Sequence, residues 1–107
     1  MGKLNVQTTK LQDVKIITPA VFGDNRGFFE ETYSDRDFKE AGIDFDFIQD
    51  NQSLSSHAGV LRGLHFQRGK AAQTKLIRVV TGAVLDVIVD VRKGSPTYNQ
   101  WEGYILS

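Results

Sequence analysis

The chain has 107 residues, 40% hydrophobic and 24% charged, with ten glycines and two prolines. That balance fits one globular domain over residues 1–107, whose core should bury roughly two-thirds of the unfolded surface. Thirteen basic residues cancel thirteen acidic ones and there is no cysteine, which disfavours a general attraction to nucleic acid or an anionic membrane, excludes disulfide and thiolate chemistry, and accords with a cytoplasmic protein. No apolar run reaches the ~20 residues of a membrane span, and the N-terminus lacks a signal-peptide core.

In chain order, Leu11 to Val21 reads as a strand broken at Pro19. Phe22-Gly23-Asp24-Asn25-Arg26-Gly27 is a turn signal, and the aromatic stretch Phe28 to Tyr33 reads as a second strand. Ser34 followed by Asp37 marks a helix start and Gly42 its stop, giving two turns at most with Phe38 and Ala41 facing inward. Phe45 to Asn51, Val60 to Gln67, Lys75 to Val80 and Ala83 to Val91 carry strand-like patterns, the last two joined at Thr81-Gly82. After a turn at Lys93 to Pro96, Trp101 to Leu106 begins one more strand. Many short strands with a single helix near 34–42 predict a mainly β chain, a sandwich or barrel.

The chemistry is concentrated in Gly59-Val60-Leu61-Arg62-Gly63-Leu64-His65-Phe66-Gln67. The plainer account of a lone histidine is a hydrogen-bonded core residue, with Arg62 a surface cation. Strict alternation would place Arg62 and His65 on opposite faces, whereas a bulge at Gly63 would bring them to one side. With a hairpin turn centred at Lys70, His65 would lie opposite Lys75, their Cβ atoms about 5 Å apart. Such a pairing favours an anion, or a developing negative charge, between them. Arg26, between Asn25 and Gly27, suits presentation of a guanidinium fork to a phosphate or carboxylate.

A metal is not expected. Gly59 and His65 open the cupin metal motif, but Gln67 replaces the second histidine, and Ala71 and Ala72 occupy the stretch where a glutamate should follow. His57 is the only other imidazole.

Four stretches together resemble the dTDP-4-dehydrorhamnose 3,5-epimerases: Gly23 to Glu31, Gln49 to Ser53, Gly59 to Gln67 and Asp86 to Tyr98. They occur in order over essentially the whole chain. The resemblance implies a dimeric, cofactor-free jelly roll of cupin type acting in the route to dTDP-L-rhamnose, on a dTDP-4-keto-6-deoxy sugar. It puts the catalytic base at His65, the enolate-stabilising lysine at Lys75 and a substrate-contacting arginine at Arg62. Nucleotide-sugar contacts fall on Arg26, Glu31, Gln49 and Asn51. The family's general-acid tyrosine and base-orienting aspartate find no counterpart, and the chain stops within a strand pattern, as an N-terminal portion would. A homodimer with strand exchange or edge pairing is the expected remedy for the open edges. The alternative is a non-catalytic sugar-nucleotide-binding β-domain.

Overall fold

The computed structural model describes residues 4–107, with six strands, one α-helix and one 3₁₀ turn among them. The strands form three antiparallel hairpins: β1 (Leu4–Thr8) with β2 (Lys15–Pro19), β3 (Val21–Asp24) with β4 (Gly27–Glu30), and β5 (Val84–Val89) with β6 (Trp101–Leu106). The chain divides into two compact units. One comprises the described residues up to Asp44 together with Ile77–Ser107, and holds all six strands; the other is Phe45–Leu76.

In the first unit the helix α1 (Asp35–Glu40) follows its sequence signals closely. Ser34 Oγ accepts the Asp37 N–H at 3.3 Å, and Asp35 and Asp37 lie in the first turn, where the free N–H groups favour negative charge. Gly42 closes the helix at φ +86, its N–H donating to the Lys39 carbonyl. Phe38 is buried, as are Leu11 and Ile43, and these three are the buried apolar residues of the described chain. Tyr33 meets Phe38 edge-on at a ring separation of 4.7 Å.

A polar network joins two hairpins of this unit. Asp90, just after β5, is 6% exposed and accepts from Ser95 Oγ at 2.5 Å, Thr97 Oγ1 at 2.6 Å and the Arg92 guanidinium at 3.0 and 3.1 Å. Arg92 then reaches the loop between β1 and β2, donating from Nη1 to Asp13 Oδ2 and from Nη2 to the Gln12 carbonyl, both at 2.9 Å. The Gln12 N–H returns a bond to Thr97 Oγ1 at 3.0 Å. Every oxygen of a nearly dry carboxylate is thus satisfied, as burial of a charge requires. The guanidinium holds the Asp90 carboxyl far below the usual carboxylate range, with the two hydroxyls adding to the effect.

Several strand expectations need correction. Phe45 to Asn51, Val60 to Gln67 and Lys75 to Val80 form no ladder among the described residues, and β5 pairs with β6 rather than with Lys75 to Val80. Alternation shows that a segment could be a strand, but a strand needs a partner to take its backbone N–H and C=O groups. The stretch expected to begin at Leu11 becomes a strand only from Lys15, because Thr9 Oγ1 bonds the Leu11 and Val14 carbonyls and closes a loop there. β1 went unread.

Candidate functional site

The hairpin β3–β4 is closed by the two residues Asn25 and Arg26, with Asp24 opposite Gly27 and Phe22 opposite Phe29. Phe22, Phe28 and Phe29 are all exposed. Together with Asp24, Arg26 and Gly27 they line an open depression of about 240 Å³. Aromatic faces beside a cation suit a ligand with a flat ring and an anionic end. Arg26 carries a forked ion pair, and its partner lies two residues away. Nε donates to the Asp24 carboxylate at 3.1 and 3.3 Å and Nη2 at 2.6 Å, while the Arg26 backbone N–H donates to Oδ1 at 2.9 Å. The pair lowers the Asp24 carboxyl and raises the Arg26 guanidinium, each chiefly through their shared side-chain hydrogen bonds. Glu31 follows β4 and is half-buried.

The other five candidates belong to Phe45–Leu76. Gln49, Asn51, Arg62, His65 and Lys75 are all exposed there. A hydrogen-bonded core histidine is therefore not what His65 is. Arg62 donates to Ser55 Oγ and to the Leu54 carbonyl, both at 3.3 Å, so its fork is anchored on its own segment. Gly63 adopts φ +98, a region that L side chains rarely enter, and any Cβ placed there would come within 3.1 Å of His65 Nδ1. The glycine thus lets the imidazole fold back over the backbone between the two candidate residues. Neither strict alternation nor a bulge describes this stretch, because no ladder runs through Gly63. The turn at Lys70 is a 3₁₀ turn, Gly69–Ala71, and no strand register sets His65 opposite Lys75.

Sequence reading missed two features, the capture of Arg26 by Asp24 and the Asp90 network. The signal for both is the same, an aspartate two residues before an arginine. Among the described residues no group of three or more His, Asp or Glu side chains is placed to hold a metal ion. No helix there is long and apolar enough to cross a membrane.

The mainly β architecture with one short helix, and the ordered motifs it carries, match those of sugar-nucleotide epimerases of cupin-like fold. The family described as dTDP-4-dehydrorhamnose 3,5-epimerase matches residues 8–107, and the chain belongs to it. Curated relatives include the dTDP-4-dehydrorhamnose 3,5-epimerase of Shigella flexneri, 52% identical over 97% of this chain and 58% of its own length. That of Methanothermobacter thermautotrophicus is 49% identical over 100% of this chain and 57% of the relative. Among solved structures, the Bacillus anthracis epimerase with TDP and PPi bound superposes with a TM-score of 0.93 at 53% identity, over 97% of this chain and 59% of that one. The Legionella pneumophila enzyme in complex with dTDP-4-keto-L-rhamnose gives 0.88 at 48% identity, over 97% and 55%. The chain spans a little over half the length of these relatives.

Proposed function

We propose that the protein is a dTDP-4-keto-6-deoxy sugar 3,5-epimerase of dTDP-L-rhamnose biosynthesis. The observation that carries this reading is the family match over residues 8–107 with His65, Lys75 and the nucleotide-contact motifs present in order. In the proposed reaction a neutral His65 takes the proton from the carbon beside the 4-keto group. The electron pair left behind moves onto the keto oxygen, where the Lys75 ammonium stabilises the enolate. A solvent-derived proton then adds to the same carbon from the opposite face as the electron pair returns from oxygen, His65 releases its proton to solvent, and the sequence runs at C3 and at C5. Arg62 orients the sugar, while Arg26, Glu31, Gln49 and Asn51 hold the nucleotide sugar. The ketone itself acidifies both positions, so the proposed steps call for no cofactor.

The direct test is solvent deuterium incorporation at C3 and C5 of dTDP-4-keto-6-deoxyglucose in deuterated buffer. Exchange at both carbons, abolished by His65→Ala and reduced at least a hundredfold by Lys75→Ala, is the expected result. Absence of exchange with the wild-type protein overturns the assignment. One observation favours a second reading, a nucleotide-sugar-binding β-domain without catalysis: the aromatic depression sits on a hydrogen-bonded hairpin, whereas His65 and Lys75 lie on a segment without a ladder. Calorimetric binding of dTDP without exchange, equal in wild type and His65→Ala, would select it.

The same reading includes a cytoplasmic homodimer formed by strand exchange or edge pairing. Its support is the set of large apolar side chains left at the surface, Ile48, Leu61, Trp101 and Ile105 among them, all at least two-thirds exposed. A monodisperse monomer in sedimentation at micromolar concentration would count against it.

A further inference from the structure

We propose that Asp24 is a positioning residue for Arg26, gripping one edge of the guanidinium so that the other edge stands ready for phosphate oxygens at the rim of the aromatic depression. The proposal rests on the reading of Arg26 as a nucleotide-sugar contact. A guanidinium has five N–H groups in one plane. Asp24 takes those on Nε and one on Nη2, and it is itself fixed by the Arg26 backbone N–H. The N–H groups of Nη1 have no partner among the described residues. Nη1 and Nη2 together form the edge whose two parallel donors match two oxygens of a phosphate.

The chain contains a second example of the same grip with its far edge in use. Arg92 is held by Asp90 through its backbone N–H, Nε and Nη2, at 3.0, 3.0 and 3.1 Å. Its outer edge binds the Asp13 carboxylate through Nη1 and the Gln12 carbonyl through Nη2. An arginine locked by an aspartate two residues earlier therefore does engage a second anion in this protein. Arg26 lines the open depression with Phe22, Phe28 and Phe29, and among the described residues no loop takes up its Nη1 as Asp13 takes up that of Arg92.

Asp24 brings a charge that opposes an anion as well as a brace that helps it. Both side chains of the pair are well exposed, so repulsion across the guanidinium acts largely through water and is screened over about 8 Å at physiological salt. The brace removes the rotamer freedom that a long, exposed arginine would otherwise lose on binding, and that saving is the larger effect. Positioning therefore outweighs repulsion.

The test is calorimetric titration of the full chain with dTDP, in wild type, Asp24→Asn, Asp24→Glu and Arg26→Ala, with the ¹⁵N-detected Arg26 Nε–H signal followed in parallel. Asp24→Asn should raise the dTDP dissociation constant about fivefold and Asp24→Glu should recover part of the loss, with Arg26→Ala weaker than either. In turnover the Asn variant should raise KM and leave kcat unchanged. Slow exchange of the Arg26 Nε–H should be lost in Asp24→Asn without any nucleotide present. Unchanged or tighter dTDP binding in Asp24→Asn, with Arg26→Ala still weakened, overturns the positioning role and leaves Arg26 as a contact. Unchanged binding in Arg26→Ala, or no dTDP binding by the wild type, overturns the contact reading and this proposal with it.

Discussion

Asp90 with Arg92 and Asp24 with Arg26 are built alike: an aspartate accepts the backbone N–H two residues on and grips the same arginine side-on. Their surroundings differ. The Asp90 side chain is 4% exposed and that of Asp24 48%. Around Asp90 two hydroxyls fill the remaining acceptor positions, and the far edge of Arg92 ties down the loop between β1 and β2. Around Asp24, Arg26 lines an open aromatic depression, and its Nη1 has no partner among the described residues. One local device thus serves as an internal clamp where it is buried and as a presented cation where it is exposed. Burial decides the role, because a dry ion pair that loses one partner leaves an uncompensated charge, whereas a wet one simply hydrates.

The largest effect that sharpens this contrast is on folding. Asp90→Ala should lower the thermal midpoint by on the order of 10 °C or abolish cooperative unfolding, since it strands Arg92, Ser95 and Thr97 together. Asp24→Ala should leave the midpoint within about 2 °C of wild type. Similar midpoints for the two variants in a calorimetric melt would break the comparison.

Acid should separate the two pairs next. Both carboxyls titrate below their ordinary value, Asp90 far below, held there chiefly by the arginine beside each. A depressed folded-state carboxyl stabilises the fold above its unfolded value of about 3.9, and the contribution drains away as pH falls from there towards the folded value. Wild type should therefore lose stability steeply below about pH 4, and Asp90→Asn should show a flatter acid limb from a lower plateau. Asp24→Asn should track the wild-type limb. A wild-type limb unchanged by Asp90→Asn would show that other carboxylates carry the acid response.

A smaller change is Arg to Lys, which keeps the charge and loses the two-edged fork. Arg92→Lys should give up the bridge to Asp13 and Gln12 and lower the midpoint by roughly half as much as Asp90→Ala. Arg26→Lys should leave the midpoint alone and show its loss in dTDP affinity. If both lysines behave as their arginines do, simple charge explains each pair and the fork geometry is incidental.

Much of this was legible in the sequence where the cause is local. Ser34, Phe38 and Gly42 fix α1 through a cap, a buried face and a positive φ, and Asp24 to Gly27 mark the β3–β4 turn. Leu4 and Val6 alternate with Asn5 and Gln7, so β1 was readable too. The stretches 45–51, 60–67 and 75–80 were misread because β-propensity describes a side chain's fit to a pleated surface and says nothing about whether a partner strand is there. For the site, the residue types at Arg26, Arg62 and His65 were evident, but their neighbours were not. Arg62 turns to Leu54 and Ser55, eight and seven residues back, which no strand periodicity encodes. The Asp90 network closes over 79 to 85 residues of chain through Arg92 and Thr97, so only its Asp-x-Arg half is visible locally.

The finest probe of the clamp is Thr97, which meets both ends of that network. Its Oγ1 donates to Asp90 Oδ2 and accepts from the Gln12 N–H, so it passes the negative charge of Asp90 on to the β1–β2 loop through one hydroxyl. Thr97→Val preserves shape and removes both bonds, and should cost about 1–2 kcal/mol in chemical denaturation, with Thr97→Ser close to wild type. The informative measurement is the double variant with Asp90→Asn. If the hydroxyl acts through the carboxylate, the Val change should be worth clearly less in the Asn background than alone, because only the Gln12 bond is then left to lose. Strict additivity would mean that Thr97 holds the loop without Asp90, and the buried pair would then be a clamp on Arg92 alone.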